Sequence, residues 1–334
     1  MTIPLKEVSI APLPTIDYDL LLARDRFEIA RLVDICRTHG FFYLKFAGSQ
    51  AERLLSNSDD VVDLMRDYFQ QPLETKLKDV RGTVTHGHLC YDHSYCPTGR
   101  YTGAKRGERD CYETLKISEA EMDARAPQLP NVVHQHTELF SDFISGSHAA
   151  LITVLKCLSI GMNLDETERF ENKHRPNEPA CTTMVLFRYP RQVVDGEGIG
   201  HNVHTDIGSL TLLYCQDWGL QLLSPENNEW GFVEPRPGHT IINVGDSLRF
   251  LSNNQLRSCV HRVIPLTERQ ETDRYSIAYF LRAEDQSVFV DSKKRELSAR
   301  SWHDEKYEVF RQPHEVQEID MVLTGGMEKQ GRLC

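Results

Sequence analysis

From residue 181 onward the sequence is a succession of short apolar segments separated by turn signals. Turn-forming pairs such as Asp195-Gly196, Pro237-Gly238 and Asn253-Asn254 lie between these segments. The predicted strands cover residues 184–189, 202–206, 210–214, 219–223, 230–233, 240–244, 258–264 and 275–281. Eight short strands at this spacing are typical of a closed, double-sheet jelly roll.

The sequence before this region has the longer period of amphipathic helices. Its apolar residues recur every three or four positions, which predicts helices over 24–38, 49–70 and 132–163. Strands are predicted at 13–16, 41–46 and 111–117. Residues 81–110 are predicted as a long loop, a candidate lid or pocket wall.

These patterns predict an α+β, mainly β chain with a double-stranded β-helix (jelly-roll) core flanked by N-terminal and C-terminal helices. We expect an N-terminal helical and strand region over residues 1–177, packed on the core. The jelly roll would occupy 178–285, and 286–334 would form a C-terminal helical segment and tail.

Two histidines and one aspartate in the predicted strands form a candidate metal site. If residues 203–207 form a strand, His204 and Asp206 share a face and Thr205 points away. His261, in a later apolar run, supplies a second imidazole. Such groups are costly to bury unless they are coordinated or paired. Two histidines and one carboxylate leave coordination positions open, as suits a non-haem Fe(II) oxygenase.

Two nearby polar residues are not expected to join this site. His201 lies three residues before His204, so on a strand it would face the opposite way, and we interpret it as a loop residue. Asp246, in Val-Gly-Asp-Ser, is expected to cap a turn. The candidate ligands are therefore the three residues named above.

An arginine and a serine stand two apart in the last predicted strand, at Arg274 and Ser276. Their side chains would share one face of that strand. A guanidinium fork beside a hydroxyl suits a carboxylate group. The pair predicts a carboxylate site and leaves the identity of the carboxylate open.

The acidic composition limits the kinds of partner. A net charge of -11 and a pI near 5.7 argue against binding a phosphate backbone. We see neither an eighteen-residue apolar run nor a secretion leader, and the nine cysteines are odd in number and lack a CxxC pair. We therefore expect a cytoplasmic protein that acts on a small molecule, without a nucleic-acid or membrane partner. The oligomeric state stays open.

In this order, the motifs resemble those of the isopenicillin N synthase-like family of 2-oxoglutarate/Fe(II)-dependent dioxygenases. The segments 13–17 and 39–42 are similar to the N-terminal region of that family, which would span about residues 10–125 here. The segments that follow its core pattern are 200–213, 219–221, 243–246, 251–253, 258–263 and 274–276, together with Trp230. The likeness covers most of the chain.

The resemblance implies a role for each motif residue. His204, Asp206 and His261 would be the iron ligands. Arg274 and Ser276 would hold the distal carboxylate of 2-oxoglutarate.

One position near the clamp departs from the pattern of the family. Tyr189 matches a tyrosine that often helps to bind the cosubstrate, whereas Phe187 stands where plant members commonly carry an asparagine. The contact that this asparagine makes with the cosubstrate is therefore in question here.

The implied activity is oxidation of a small organic molecule in secondary-metabolite biosynthesis, by hydroxylation, desaturation or ring rearrangement. The cofactors would be Fe(II), 2-oxoglutarate and O2, with succinate and CO2 as coproducts, and ascorbate would help in vitro. An alternative is an oxidase of the same family that uses no 2-oxoglutarate and clamps a substrate carboxylate. A third interpretation is a metal-bearing binding protein without turnover, although the complete set of motif residues argues against it.

Four residues are candidates for contact with the substrate: Phe187, Arg188, Tyr95 and Phe280. The 81–110 loop and the C-terminal helices would form further walls of the pocket. The aromatic side chains suggest a small, partly apolar or aromatic substrate, although aromatics at this position are as often part of a core. Arg188 fits a substrate-facing position and a solvated one equally well.

Overall fold

A computed structural model describes residues 8–46, 49–80, 82–85, 88–93, 95–103, 107–176, 178–192, 200–267, 270–317 and 319–327. The strands are β1 (Thr15–Asp17), β2 (Phe41–Lys45), β3 (Gly82–Thr85), β4 (His88–His93), β5 (Tyr95–Cys96), β6 (Glu113–Ser118), β7 (Thr183–Tyr189), β8 (His201–His204), β9 (Leu210–Tyr214), β10 (Leu220–Leu223), β11 (Trp230–Phe232), β12 (His239–Val244), β13 (His261–Val263), β14 (Arg274–Leu281), β15 (Val288–Val290) and β16 (Glu296–Ser298). The α-helices are α1 (Tyr18–Leu22), α2 (Arg26–Thr38), α3 (Ser49–Gln70), α4 (Leu73–Lys76), α5 (Glu119–Asp123), α6 (Asn131–Gln135), α7 (Thr137–Gly161), α8 (Asp246–Leu251), α9 (Ala299–Phe310) and α10 (His314–Gln317). Short 3₁₀ turns cover Leu77–Asp79, Glu166–Glu168 and Phe170–Lys173.

Two sheets form the core of the protein. The large sheet has the strand order β1-β2-β12-β9-β14-β7-β6-β5, and the small sheet has the order β11-β10-β13-β8. The strands β7 to β14 divide equally between them, with β7, β9, β12 and β14 adjacent in the large sheet. Apolar residues of both sheets pack into one cluster, which includes Leu220 and Leu222 from the small sheet and Ile241 from the large one. The predicted double-stranded β-helix is confirmed.

Local capping explains where the N-terminal elements begin and end. The carboxylate of Asp17 accepts hydrogen bonds from two backbone N–H groups at the start of α1, and Asp25 does the same for α2. After α2 the chain turns into β2 through Gly40, which has φ +70°. A Cβ there would lie 2.1 Å from the carbonyl oxygen of Arg257, so the position requires glycine.

The helical layer packs on the large sheet through α7. This helix contacts helices α2 and α3 and strands β9 and β14. By length and composition alone α7 could cross a membrane, but 56% of its most apolar stretch is buried within the protein. Most of its apolar side chains belong to the main hydrophobic core.

The structure corrects three of the predicted elements. The predicted 81–110 loop contains strands β3, β4 and β5. The predicted helix over 132–163 is divided at His136, where φ is -126°. The strand predicted to carry both His204 and Asp206 ends at His204, and Asp206 lies in the connection that leads to β9.

Candidate active site

Alternation along two central strands of the large sheet directs one set of side chains toward the small sheet. In β14, Arg274, Ser276 and Phe280 line the cavity between the sheets. The neighbouring strand β7 places Phe187 opposite Ser276 and Tyr189 opposite Arg274. Since residues two apart share a face, the predicted clamp pair lies on one continuous surface.

Three side chains from β8, β13 and the turn after β8 meet at one point, and we call them the His-Asp-His cluster. His204 and His261 are directly paired across the small sheet, with ring centroids 4.3 Å apart. The Oδ1 atom of Asp206 lies 3.5 Å from Nε2 of His204 and 3.6 Å from Nε2 of His261. One ligand atom from each residue lies within 4.8 Å of the others. The structure thus brings together the three residues that the sequence predicts as ligands.

Hydrogen bonds on the outer side of each ring determine which atoms face the centre. Nδ1 of His204 lies 2.8 Å from the carbonyl oxygen of Asn202, and Nδ1 of His261 lies 3.1 Å from that of Cys259. A carbonyl oxygen only accepts, so each Nδ1 carries the hydrogen. The lone pair of each ring is therefore on Nε2, which is directed at Asp206.

The carboxylate of Asp206 is held through one of its two oxygens. Oδ2 accepts hydrogen bonds from Oγ1 of Thr211 at 2.5 Å and from Nδ2 of Asn243 at 2.7 Å. Burial opposes ionisation, but the neighbouring His261 and His204 and the Asn243 amide hold the pKa of Asp206 well below its ordinary value. An ionised carboxylate thus presents Oδ1 to the two rings.

This donor set fits Fe(II). Burial, with a contribution from His204, lowers the pKa of His261 to about 4, so this ring is neutral at neutral pH. Metal ligation needs neutral imidazole and ionised carboxylate, the forms that His261 and Asp206 take here. Two imidazole nitrogens and one carboxylate oxygen are the donors of non-haem Fe(II) oxygenases.

A buried arginine lies on the same cavity. Arg274 is 2% exposed, and its Nε and Nη2 donate to the carbonyl of Trp218 and to Sγ of Cys215, both at 2.9 Å. Its Nη1 lies 3.4 Å from Oγ of Ser276, and the guanidinium lies 4.9 Å from the centre of the Tyr189 ring. No Asp or Glu in the described ranges forms an ion pair with this arginine. A buried cation without an anionic partner is costly, so the site suits an external carboxylate.

Two adjoining cavities meet at the His-Asp-His cluster. The clamp cavity, of ≈ 60 Å³, contains Arg274 and Ser276, and the distal cavity, of ≈ 110 Å³, extends toward helix α9. Both are lined by Phe187 and Phe280, as the sequence predicts. Helix α9 contributes Lys306, Tyr307 and Phe310 to the distal cavity, and the 95–103 segment contributes Tyr101.

Two of the predicted substrate contacts lie elsewhere. Arg188 alternates with Phe187 along β7, so it points to the other face of the sheet, where it pairs with Glu113 at 2.7 Å and Asp273 at 2.8 Å. The hydroxyl of Tyr95 donates to the same Glu113 at 2.5 Å. The structure does not bring Arg188 or Tyr95 to either cavity.

His201 lies at the site, contrary to the prediction that it faces away. Its ring stacks on that of His204, with centroids 4.6 Å apart and an angle of 21° between the ring planes. The pairing of His204 with His261 and of His201 with Val263 leaves an extra residue in β8, which is a β-bulge. The bulge brings residues three apart to one face. Gly200, with φ +70°, precedes it and is the only local sequence signal.

The fold and the site together define a class of protein, a jelly-roll non-haem Fe(II) oxygenase. Comparison with known families agrees with this class. The 2OG-Fe(II) oxygenase superfamily matches residues 180–283, and the N-terminal region described as that of the non-haem dioxygenase in morphine synthesis matches residues 13–136.

Whole-chain relatives establish the family. The chain is 46% identical to 2-oxoglutarate-dependent dioxygenase frbH of Dothideomycetidae sp. (strain 11243), over 96% of this chain and 98% of that protein. It is 45% identical to oxidoreductase vrtI of Penicillium aethiopicum, over 96% of this chain and 75% of that protein. The chain belongs to the 2OG-Fe(II) oxygenase superfamily and is a 2-oxoglutarate-dependent dioxygenase.

A solved structure supports the fold independently. A full-length Neurospora crassa protein, solved in complex with alpha-KG, aligns with a TM-score of 0.68 over 92% of this chain and 98% of that chain, at 22% identity. The predicted activity and the predicted use of Fe(II), 2-oxoglutarate and O2 are confirmed by the family.

Proposed function

We propose that His204, Asp206 and His261 hold Fe(II), and that Arg274 and Ser276 bind the distal carboxylate of 2-oxoglutarate. The observation that carries the metal assignment is the asymmetry of Asp206. One of its oxygens is fixed by Thr211 and Asn243, whereas the other faces two imidazole nitrogens. Such outer hydrogen bonds are typical of residues that orient metal ligands.

The remaining residues position the reactants. When bound, Fe(II) and 2-oxoglutarate would activate O2 for oxidation of the substrate, and 2-oxoglutarate would be converted to succinate and CO2. Tyr189 packs against the guanidinium of Arg274 and helps to hold the clamp in place. Phe187 and Phe280 lie between the two cavities and exclude water from the His-Asp-His cluster.

The primary substrate is a small, partly apolar or aromatic molecule of secondary metabolism, oxidised by hydroxylation, desaturation or ring rearrangement. Phe187, Phe280, Tyr112 and Phe310 line the distal cavity and support an apolar or aromatic substrate. Flavanone 3-dioxygenase 2 of rice, a relative named for an aromatic substrate, is 27% identical over 82% of this chain. We place the protein in the cytoplasm, with ascorbate as a useful additive in vitro.

The chain divides by role into residues 1–177, 178–285 and 286–334. The middle region carries the proposed metal and clamp residues, and the first packs its helices on the large sheet. The C-terminal region supplies a wall of the distal cavity through helix α9. In this proposal all three regions serve one active site.

Anaerobic titration with Fe(II) and 2-oxoglutarate tests the assignments. The wild-type protein should develop the weak visible charge-transfer band of a chelated 2-keto acid. His204→Ala should abolish the band, and Arg274→Ala should raise the 2-oxoglutarate concentration that it needs. Lys45→Ala, at an exposed lysine remote from the cavity, is the control.

Two outcomes would contradict the proposal. Iron binding without a band would favour the oxidase that uses no 2-oxoglutarate, with Arg274 reserved for a substrate carboxylate. Undiminished iron binding in His204→Ala would show that the metal lies elsewhere.

A further inference from the structure

Strand β9 lies beside the strand that carries the clamp residues. It is paired with β14, on which Arg274 and Ser276 stand two apart. Thr211 and Leu213 of β9 line the clamp cavity. Residues two apart share a face, so Cys215, which directly follows β9, is directed to the same side. The clamp therefore has a thiol as its neighbour on the adjoining strand.

The segment after β9 fits closely around the guanidinium of Arg274. Nη2 donates to Sγ of Cys215 and Nε donates to the carbonyl of Trp218, both at 2.9 Å. Gly219 follows with φ +137°, and a Cβ at this position would lie 3.0 Å from Nε of Arg274. Two guanidinium nitrogens are thus held by one short stretch of chain that leaves little free space around them.

Cys215 acts in this contact as a neutral acceptor. Its S–H donates to the backbone carbonyl of Asp217 at 3.2 Å, which leaves the lone pairs of the sulfur for the guanidinium. Burial raises the pKa of the thiol above its ordinary value, against the opposing effect of Arg274. The acceptor for Nη2 is therefore an uncharged thiol at neutral pH.

The hydrogen bonds of Arg274 hold its guanidinium without neutralising it. Among the described residues its acceptors are the carbonyl of Trp218, the thiol of Cys215 and, at 3.4 Å, the hydroxyl of Ser276. An Asp or Glu in the place of the thiol would form an internal ion pair and compete with an incoming carboxylate. A neutral acceptor orients the planar guanidinium and leaves its charge available.

We propose that Cys215 is a positioning residue for the cosubstrate, which orients Arg274 and, being uncharged, leaves its positive charge for the distal carboxylate of 2-oxoglutarate. The inference rests on the proposed function, which places this carboxylate at Arg274. The hydrogen bonds of Cys215 go to Arg274 and to the carbonyls of Asp217 and Tyr275, outside the His-Asp-His cluster. Its effect on the cosubstrate is therefore separable from iron binding.

Anaerobic titration of the Fe(II)-loaded protein with two keto acids tests this role. 2-Oxoglutarate and 2-oxopentanoate share the chelating group and the chain length, but only 2-oxoglutarate carries a distal carboxylate. The charge-transfer band gives the Kd of each, and we call the ratio of the two values the carboxylate preference. Cys215→Ala should reduce this preference about tenfold, because a hydrogen bond to a charged group is lost. Cys215→Ser keeps an acceptor and should stay within about twofold of the wild type.

A matched pair of variants separates the charge of the side chain from its size. Cys215→Asn and Cys215→Asp place the same shape beside Arg274, and only the aspartate is charged. Cys215→Asp should have a lower carboxylate preference than Cys215→Asn or Cys215→Ala, because it neutralises the guanidinium. The affinities for 2-oxopentanoate and for Fe(II) should not differ between the two. Cys157→Ala, which removes a buried thiol on α7, is the control and should match the wild type.

The outcomes distinguish this inference from the proposed function. Equal Kd values for the two keto acids in the wild type would contradict the proposed function, because Arg274 would then not recognise the distal carboxylate. A preference that is lost in Arg274→Ala but unchanged in Cys215→Ala and Cys215→Asp would overturn the inference alone. A parallel loss of affinity for both keto acids in Cys215→Asn and Cys215→Asp would also overturn it, since Cys215 would then support only the local structure.

Discussion

Two buried carboxylates lie back to back at the active site, and their surroundings differ. Asp206 leaves one oxygen directed at two imidazole rings. Both oxygens of Asp246 are occupied within the protein, Oδ1 by the hydroxyl of Ser258 and Oδ2 by Thr205 and Lys306. The backbone N–H of Asp246 donates to the carbonyl of Asp206 at 2.8 Å, so the two clusters share one stretch of framework.

The difference shows that burial alone does not mark a metal ligand. Burial raises the cost of ionising Asp246, but Lys306 and Arg249 hold its pKa below the ordinary value. Asp206 has no lysine or arginine in an ion pair with it among the described residues; its partners are the two imidazoles, and burial lowers the pKa of His261 to about 4. In the proposed function, a metal cation supplies at Asp206 the positive charge that Lys306 and Arg249 provide at Asp246.

Removing the carboxylate of Asp206 is expected to have the largest effect. In Asp206→Ala, iron affinity should fall by more than the ~10–100-fold that the loss of an outer partner of a ligand causes. Turnover of 2-oxoglutarate should be lost with it. Anaerobic calorimetry with Fe(II) measures the affinity, and circular dichroism checks the fold. The control is Asp34→Ala, at an exposed aspartate on α2. Wild-type affinity in Asp206→Ala would contradict the assignment.

Removing Asp246 should act on stability instead of metal binding. Asp246→Ala leaves the ammonium of Lys306 buried and unpaired, which should cost about 3–5 kcal/mol in the free energy of unfolding. Urea denaturation of the iron-free protein measures this loss. Asp246→Leu combined with Lys306→Met should recover part of it, because the ammonium of Lys306 is then removed together with its partner, while the buried guanidinium of Arg249 remains. A loss below about 1 kcal/mol in Asp246→Ala would show that the pair is not a structural element.

The same comparison explains how much could be predicted from the sequence. The clamp pair follows local spacing, because an alternation of two residues places Arg274 beside Ser276. The same spacing singles out His204 and Asp206, but Asp206 reaches the cluster from the segment after β8, and His261 reaches it through the pairing of β13 with β8. The core strands and the jelly-roll class follow from short apolar segments and turn signals, which are also local.

The features that the sequence does not predict depend on tertiary contacts. His201 reaches the site because a bulge in β8 breaks the alternation. Arg188 and Tyr95 are drawn to Glu113 on the outer face of the sheet, a pairing that neither residue signals locally. Lys306 contacts Thr205 and Asp246 across a large separation in sequence, so its charge cannot be assigned before the fold is known.

A buried histidine outside both clusters gives a pH-dependent contrast. Burial lowers the pKa of His174 from 6.5 to about 4, and its ring bonds to Ser209 and to the carbonyl of Phe170. Because the unfolded chain takes up this proton first, the contribution to stability is complete above pH 6.5 and is lost as the pH falls toward 4. The total loss is roughly 3 kcal/mol.

Urea denaturation at a series of pH values tests this contribution. His174→Gln should show a shallower loss of stability than the wild type over that pH range. Parallel curves for the two proteins would show that another group is responsible. His134→Gln, at an exposed histidine, is the matched control.

The smallest expected effect concerns the residue that orients Asp206. Asn243→Ala removes the 2.7 Å hydrogen bond to Oδ2, so the carboxylate gains freedom to rotate away from the two imidazoles. Iron affinity should then fall ~10–100-fold, while the exposed control Asn227→Ala should match the wild type. Affinity within about twofold of the wild type would mean that Thr211 alone fixes the carboxylate. A larger loss than in Asp206→Ala would contradict the division between ligand and support.

The corresponding change at Asp246 is Ser258→Ala, which removes the hydroxyl that donates to its Oδ1. Because Asp246 is not one of the proposed metal ligands, this change should lower stability without changing iron affinity.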